Sequence, residues 1–279
     1  MLAAEEVGGF WRSRPGFASL GPMSSPLPQP KEERLPEVVT VQRGPHKLRY
    51  ATPNRMCLWR VKTLATKEPS TIGWLDSLVP DAPLLDVGAN VGMYSIYAAV
   101  VRRARVFAFE PESQNYALLC RNIQLNEASG RIVAWAAALS DREGFDRLHL
   151  SAFDAGGSCH SFGESRDPYL RERKSPFVQG CYATTIDRLV ADGTMPQPAA
   201  IKIDVDGFEH RVIAGAAKTL RDPALTTLLI EINPQLAEHR WIIEHLAVLG
   251  FAYDPAQVAK AARKEGFFEG VAEYVFRRS

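Results

Sequence analysis

Two acidic residues stand at the ends of two short apolar segments, where strands are expected to stop. Asp86 lies within the apolar run 84–87, and Glu110 follows the run 105–109. A carboxylate in such a position attracts an ammonium group or accepts hydrogen bonds from hydroxyl groups. The pair therefore suits a ligand that carries both a cationic group and a sugar.

The chain between these acids contains a glycine turn of the kind that binds nucleotides. The run 84–87 enters Gly88-Ala-Asn-Val-Gly92, and a helical pattern begins near Asn90. This pattern predicts a buried parallel strand that turns tightly into a helix. Gly88 and Gly92 carry no Cβ, so the backbone can pass close to a ligand at both positions.

The charges indicate which nucleotide cofactor the turn would accept. Asp86 would repel the pyrophosphate of NAD and attract the ammonium group of S-adenosylmethionine. Glu110 is expected to accept the ribose hydroxyls, and adenine is expected near the end of the third strand. We therefore predict S-adenosylmethionine as the cofactor. The predicted contacts are Asp86, Gly88, Ala89, Asn90, Gly92, Glu110, Ala138 and Asp141.

A later strand carries the main catalytic candidates. Lys202, Asp204 and Asp206 alternate with apolar residues, so their side chains are expected to share one face. Charged groups on a buried strand are costly unless they are paired or lie in a cleft. Two roles are open to Asp204: it is the general base or orienting group for an acceptor, or it forms a structural ion pair with Lys202.

Two further residues are candidates for acid–base chemistry. Glu231 closes the following strand, and His160 lies in the polar loop 156–162. The pKa of an ordinary histidine lies near neutral pH, which suits a general base, although a single loop histidine is more often a surface residue. Asp204, Glu231 and Asn233 together offer oxygen ligands, so a divalent cation is an alternative use of the same residues.

The sequence also resembles the FkbM family of S-adenosylmethionine-dependent methyltransferases over roughly residues 55 to 235. The matching segments run in order: Lys67-Glu-Pro-Ser-Thr-Ile-Gly-Trp74, Asp86-Val-Gly-Ala-Asn-Val-Gly92, Phe109-Glu-Pro111, Ala138-Leu-Ser-Asp141, Thr185-Ile-Asp-Arg-Leu189 and Lys202-Ile-Asp-Val-Asp-Gly-Phe-Glu209. The family pattern usually has Glu at Asp206, so the carboxylate here has a shorter reach. The resemblance implies methyl transfer to an oxygen, with a hydroxyl of a sugar or small secondary metabolite as acceptor.

Three other functions compete with this interpretation. An NAD-dependent oxidoreductase would favour Gly-x-Gly-x-x-Gly without Asp86, whereas this chain has Gly88-Ala-Asn-Val-Gly92. A metal-dependent O-methyltransferase would use the oxygen ligands named above. A binding or scaffold protein could keep the cofactor fold without catalysis, because cofactor binding and turnover need different residues.

The alternation of strands and helices predicts the fold. Strands over 83–88, 105–110, 131–138, 200–205 and 226–232 alternate with helices over 91–102, 113–126, 209–220 and 234–249. Short strands at 251–253 and 273–276 end the pattern, a hairpin flanks Gly44-Pro45, and a helix over 70–78 has Ser70 as its N-cap. We expect an α/β, Rossmann-like class I methyltransferase with a mostly parallel seven-stranded sheet and helices on both faces.

The domain organisation follows from composition. Residues 1–36 are expected to form a flexible arm rich in proline and serine, and residues 37–279 a methyltransferase domain. The interval 142–200 breaks the alternation and contains two strand-like pieces, 146–151 and 177–183. We expect it to be an inserted β segment near the active site, with a mobile lid at Gly156 and Gly157.

The bulk composition excludes some partners. The chain has 46% hydrophobic and 23% charged residues and a net charge of +1, which argues against phosphate-neutralising nucleic-acid binding. No apolar run approaches the ~20 residues of a membrane span, and the first residues lack the pattern of a signal peptide. The cysteines have no paired spacing, which indicates free thiols. We expect a cytoplasmic protein that acts on a small molecule.

Overall fold

The computed structural model describes residues 35–278. The predicted arm therefore lies outside the described residues, except for positions 35 and 36. The strands are β1 (Val38–Arg43), β2 (His46–Ala51), β3 (Pro83–Val87), β4 (Arg105–Phe109), β5 (Ile132–Trp135), β6 (Ala138–Leu139), β7 (Gly144–Leu150), β8 (Ser161–Phe162), β9 (Phe177–Thr184), β10 (Ala200–Ile203), β11 (Thr227–Ile232), β12 (Phe251–Tyr253) and β13 (Ala272–Arg278). The helices are α1 (Arg55–Lys62), α2 (Pro69–Asp76), α3 (Met93–Val101), α4 (Ser113–Leu125), α5 (Ile186–Ala191), α6 (Glu209–Ala214), α7 (Ala237–Val248) and α8 (Pro255–Ala261).

The central sheet has the predicted Rossmann-like methyltransferase architecture. Within residues 35–278 it contains seven strands in the order β5-β4-β3-β10-β11-β13-β12. The strands from β5 to β11 are parallel, and β13 runs antiparallel to both of its neighbours. The chain moves outward through β4 and β5 and then returns to β10 on the other side of β3. The carboxyl ends of β3 and β10 therefore form the crevice in which such sheets bind ligands.

Alternating strand residues build a core on each face of this sheet. On one face Leu84 and Val106 pack in a buried cluster with residues of α2, α3, α4 and β2. On the other face Leu85, Val87 and Ile201 pack with residues of α5, α6 and α7. Strands that are buried on both faces have apolar residues at successive positions, and this is why 84–87 is apolar at every position except Asp86.

The inserted segment forms a small sheet of its own. Within the described residues this sheet has the order β6-β9-β7-β8, with β7 and β9 antiparallel. The expected strand-like pieces at 146–151 and 177–183 therefore correspond to β7 and β9. The strand predicted over 131–138 is only partly right, because the chain leaves the central sheet after Trp135 and β6 pairs with β9 instead.

Several local predictions were wrong at element ends. Glu68, not Ser70, occupies the N-cap of α2, and Pro69 begins the helix. Helix α6 ends at Ala214, short of the predicted end at 220. Gly215 follows it and packs so closely that a Cβ there would lie 2.1 Å from the carbonyl oxygen of Ser140. None of the described helices is long and apolar enough to cross a membrane.

Candidate active site

Gly88 and the backbone of Asp204 meet at the crevice between β3 and β10. Gly88 has a φ of +77°, and a Cβ at this position would lie 2.0 Å from the Asp204 carbonyl oxygen. A side chain at position 88 would therefore force the two strand ends apart. The glycine is needed both for its left-handed backbone and for this close approach.

Glu110 is fixed beside the glycine turn by backbone donors. One carboxylate oxygen accepts the N–H of Asn90 at 2.8 Å, and the other accepts the N–H of Glu112 at 2.9 Å. Glu110 is buried, and this burial raises the pKa of its carboxyl to about 7 in spite of the two hydrogen bonds. Each oxygen keeps a lone pair, so the group can still accept hydrogen bonds from ribose hydroxyls.

A cavity of about 720 Å³, counting the open space at its mouth, lies over these strand ends. This volume suits a small organic ligand. One end of the cavity is apolar, with Pro111, Ala138, Leu139 and Phe162 in its wall, and the other end reaches Asp204 and Asp206. The arrangement can hold an adenine at the apolar end, a ribose at Glu110 and a reacting group at the acidic end.

The insertion forms one wall of this cavity through the loop at Gly156 and Gly157. The amide oxygen of Asn115 accepts the N–H of Gly156 at 2.7 Å. The carbonyl oxygen of Gly157 accepts hydrogen bonds from the side-chain amides of Asn90, at 2.7 Å, and Asn115, at 3.1 Å. The glycine pair that was predicted to form a mobile lid is thus hydrogen-bonded to the glycine turn and to α4. Its mobility stays a prediction.

His160 lies in the cavity wall, where the structure favours a donor role over that of a base. Its Nδ1 accepts the N–H of Ser151 at 3.3 Å, so in the neutral ring the proton sits on Nε2. Burial lowers the pKa of His160 to about 4, so the ring stays neutral at physiological pH. Nε2 is buried and has no hydrogen-bond partner among residues 35–278. A neutral Nε2–H can donate to a ligand.

The predicted Lys202–Asp204 ion pair is present. Lys202 is buried, and its Nζ lies 3.1 Å from an Asp204 oxygen and 3.8 Å from Asp86. Burial alone would raise the pKa of Asp204, but the ammonium of Lys202 outweighs it and holds that pKa at about 2. Burial raises the pKa of Asp86, which also accepts the hydroxyl of Ser95 at 2.5 Å.

Asp206 and Glu231 complete an acidic cluster with Asp204. Oxygen atoms of these three residues lie within 4.8 Å of one another. Burial and the charge of Asp204 raise the pKa of Asp206 to about 6, and the same two causes raise the pKa of Glu231. The backbone N–H of Cys159 donates to Asp206 at 2.6 Å, and Arg263 lies 2.5 Å from Glu231.

Each of the oxygen ligands proposed for a metal already has a partner within the protein. The side-chain oxygen of Asn233 accepts the N–H of Gln235 at 3.0 Å, which uses the amide within its own turn. Asp206 also lies beside Asp204 and Glu231, and the guanidinium of Arg263 lies 2.5 Å from Glu231. This donor set fits a divalent cation poorly, and no chemical step is derived through one.

The predicted cofactor residues do not all reach the cavity. Gly88, Asn90, Glu110 and Ala138 line it, whereas Ala89 lines a second, smaller cavity. Asp86 lines neither of these two cavities. Gly92 faces α4, where a Cβ would lie 2.5 Å from Leu119, and Asp141 is exposed.

Other residues of the cavity wall were not predicted from the sequence. Asn115 is polar yet fully buried in the first turn of α4, and Phe208 and Arg211 follow the acidic strand end. The signal for Asn115 was present in the sequence, since it is an amide on the otherwise apolar face of a helix. The positions of Phe208 and Arg211 depend on how the chain turns at Asp206, where φ is +53°.

Comparison of the sequence with known proteins finds relatives that are methyltransferases. The chain is 26% identical over 176 residues to the hexuronic acid methyltransferase AglP of Haloferax volcanii, covering 63% of this chain and 66% of AglP. It is 37% identical over 68 residues to the methyltransferase sdnD of Sordaria araneosa, covering 24% of this chain and 26% of sdnD. The chain thus spans slightly less than two thirds of AglP and about a quarter of sdnD.

The solved structures that resemble this chain also include methyltransferases. Methyltransferase FkbM from Methylobacillus flagellatus shares 14% identity, with a TM-score of 0.45 and coverage of 72% of this chain and 44% of that chain. Magnesium protoporphyrin IX methyltransferase from Synechocystis, solved with bound SAM, shares 15% identity, with a TM-score of 0.45 and coverage of 82% of this chain and 86% of that chain. Residues 86–253, more than half of the sequence, match the Methyltransferase FkbM domain, and the chain therefore belongs to the FkbM methyltransferase family.

Proposed function

We propose that this protein transfers a methyl group from S-adenosylmethionine to an oxygen atom of a small sugar-like acceptor. The observation that carries the proposal is the cavity at the switch point of the sheet, which extends from the buried Glu110 to the carboxylates of Asp204 and Asp206. Family membership supports methyl transfer as the chemistry. The cofactor, when bound, supplies a methyl group on a positively charged sulfur.

The cavity fits the cofactor by the chemistry of its walls. Glu110 would accept the ribose hydroxyls, and the backbone and side chains of Ala138 and Leu139 would contact adenine. The unpartnered Nε2–H of His160 is a donor available to the same ligand. Asp86, which was predicted to meet the ammonium group, lies 3.8 Å from the Nζ of Lys202, and its contact with the cofactor stays a prediction.

Asp206 is the residue best suited to take the proton of an acceptor hydroxyl. A general base works best when its pKa lies close to the working pH, and the pKa of Asp206 is about 6. Asp204, with a pKa of about 2, is a weak base that would orient the acceptor through hydrogen bonds. This assignment moves the base from Asp204, the sequence-based candidate, to its neighbour two residues on.

The acceptor class follows from the relatives and from the acidic end of the cavity. AglP is a hexuronic acid methyltransferase, so a uronic acid or a neutral sugar of similar shape is the first acceptor to test. Carboxylates at the reacting end suit a ligand with several hydroxyl groups, because each oxygen can accept a hydroxyl hydrogen bond. We propose a sugar hydroxyl as the atom that is methylated.

Transfer of labelled methyl from S-adenosylmethionine to paired acceptors tests the proposal. Glucuronic acid and glucose derivatives would be compared, and treatment of the product with alkali separates a labile methyl ester from a stable methyl ether. Asp206→Asn is expected to lower kcat by about 10²–10⁴-fold with little change in cofactor affinity. Asparagine tolerates the left-handed backbone at this position, so the variant should fold.

Glu244→Gln, on the exposed face of α7, is the matched control and should keep full activity. Alkali-stable label that depends on Asp206 would support the proposal. Cofactor binding without transfer to any acceptor of the panel would favour a binding or scaffold protein that keeps the fold. Full activity in Asp206→Asn would remove Asp206 as the base.

A further inference from the structure

A buried acid and a buried histidine lie behind the turn that carries Asp206. Glu209 is 0% exposed and His239 is 2% exposed. The methyl transfer described above uses neither of them. A carboxylate is costly to bury unless its oxygens are hydrogen-bonded, so the partners of Glu209 indicate its role.

The carboxylate of Glu209 holds the backbone on both sides of Asp206. One oxygen accepts the N–H of Val205 at 2.8 Å, and the other accepts the N–H of Gly207 at 3.0 Å. Asp206 has a φ of +53° and Gly207 a φ of +107°, a backbone region that is uncommon for residues other than glycine. The two hydrogen bonds fix this turn, and the turn sets the direction in which the Asp206 side chain leaves the backbone.

His239, on α7, links this carboxylate to the strand end that carries Glu231. Its Nδ1 accepts the N–H of Asn233 at 3.0 Å, so in the neutral ring the proton sits on Nε2. Nε2 lies 3.1 Å from the Glu209 oxygen that also accepts the Gly207 N–H, and 3.1 Å from the Gly207 carbonyl oxygen. The imidazole therefore bridges the turn and the end of β11.

Three donors thus meet the two oxygens of Glu209. They are the backbone N–H groups of Val205 and Gly207 and the Nε2–H of His239. Only a carboxylate accepts all three, because a side-chain amide would place its own NH₂ group against one of them. Loss of one of these bonds would free one side of the turn. The turn could then shift the Asp206 carboxylate, whose other end is held by the N–H of Cys159 at 2.6 Å.

We propose that Glu209 and His239 are positioning residues for methyl transfer, which hold the carboxylate of Asp206 at the acceptor hydroxyl. Glu209 fixes the backbone of the turn, and His239 fixes Glu209. Both act through Asp206 and touch neither the acceptor nor the cofactor. This inference rests on the proposed function, which makes Asp206 the general base.

Glu209→Gln and His239→Gln test the two residues separately. The rate of labelled methyl transfer gives kcat and the KM for the acceptor, and calorimetry gives the Kd for S-adenosylhomocysteine. Glu209→Gln should lower kcat by about 10- to 100-fold, because a displaced base loses its near-attack geometry. His239→Gln keeps a donor for Glu209 but loses the bridge to Asn233, so kcat should fall by only about 3- to 10-fold. The KM and the Kd should change less than about threefold in both variants.

Asp187→Asn is the matched control. The carboxylate of Asp187 also holds two backbone N–H groups, those of Lys218 and Thr219, each at 2.8 Å, beyond the end of α6. Urea unfolding should show a loss of stability in this variant, while its kcat should stay within about twofold of the wild-type value. A fall in kcat equal to that of Glu209→Gln would mean that kcat reports stability alone and would overturn the positioning role.

Asp206→Asn provides the background that separates a positioning role from a structural one. If Glu209 acts by placing Asp206, adding Glu209→Gln to Asp206→Asn should lower the residual transfer rate by less than about twofold, and His239→Gln should behave in the same way. The same loss of rate in both backgrounds, or an unchanged kcat in the folded single variants, would overturn this inference alone. If Glu209→Gln does not fold, the milder His239→Gln decides. Absence of transfer by the wild type would overturn the proposed function and this inference with it.

Discussion

The titration of Glu110 ties cofactor affinity to pH. Burial raises the pKa of its carboxyl to about 7, and the ionised form is the one that accepts two ribose hydroxyls. Binding should therefore favour the ionised group and release protons near neutral pH. We expect the affinity for S-adenosylhomocysteine to fall as the pH drops from 8 through 7 to 6. Calorimetry in buffers of different ionisation enthalpy measures both the affinity and the proton release.

Glu110→Gln provides the comparison for this prediction. The amide has no charge to titrate, so its affinity should be about 10- to 100-fold lower at pH 8 and nearly independent of pH. A pH-independent affinity in the wild type would show that Glu110 does not contact the ligand through its ionised carboxylate.

Gly88 offers a prediction about backbone geometry at a single residue. A Cβ at position 88 would lie 2.0 Å from a backbone oxygen that cannot move without separating β3 from β10. Gly88→Ala should therefore lower the free energy of unfolding by more than about 3 kcal/mol, or prevent folding. Gly44→Ala shares the positive φ but has no atom within 4 Å of the added Cβ, so it should cost only about 1 kcal/mol. Urea unfolding of both variants measures the two losses in the free energy of unfolding. Equal losses would contradict the close approach of Gly88 to Asp204.

At the scale of elements, the inserted segment depends on helix α4 for its position. Asn115 is fully buried and holds the Gly156 N–H and the Gly157 carbonyl through its side chain. Asn115→Ala leaves these two backbone groups without that partner, at a cost of about 1–3 kcal/mol. We expect faster hydrogen exchange at the Gly156 amide and weaker cofactor binding.

Asn126→Ala is the matched control for this variant. Asn126 lies at the other end of the same helix, where it bonds to Arg49 rather than to the insertion. Exchange at Gly156 should stay at the wild-type rate in this control. Unchanged exchange in Asn115→Ala as well would mean that other contacts, such as those of Asn90 and Arg60, are enough to hold the loop.

The order of the elements was predictable, whereas their ends and their polar contacts were not. The apolar runs at 84–87 and 226–232 are long enough to identify buried strands, and Gly250 follows the end of α7 with a φ of +82°. Asn122 is polar yet buried, and its amide bonds to Ala51 of the hairpin and to Val91. Such contacts join residues far apart in the chain, so no local pattern contains them.

The same distinction applies to the candidate site. The positions of Glu110 and Gly88 in the cavity wall were predictable because both residues stand at a strand end. Asp86 and Asp204 also stand at strand ends, but their roles depend on which way Lys202 turns between them. The contacts of Cys159 with Asp206 and of Arg263 with Glu231 bring in residues 47 and 32 positions away. Tertiary packing, rather than local spacing, decides which acid is neutralised.

At the scale of the whole molecule, the site lowers the stability of the protein at neutral pH. Burial raises the pKa of Glu110 and Glu273 to about 7 and that of Asp206 to about 6, all above the ordinary range of a carboxyl group. The folded protein then binds more protons than the unfolded chain between about pH 4 and 7. The stability from these groups is present below pH 4 and is lost as the pH rises through 6 and 7.

Asp204 acts in the opposite direction, because its pKa is lowered to about 2 and its contribution is lost only as the pH falls from about 4 through 2. The free energy of unfolding should therefore be greatest near pH 4 and should fall by about 2 kcal/mol or more toward pH 8. Urea unfolding across this range measures the profile, and Glu273→Gln should flatten part of the decline. A bound cofactor favours the ionised carboxylates, so S-adenosylhomocysteine should raise stability more at pH 8 than at pH 5.5. A stability that rises steadily from pH 5 to 8 would show that these buried acids are already ionised in the folded protein.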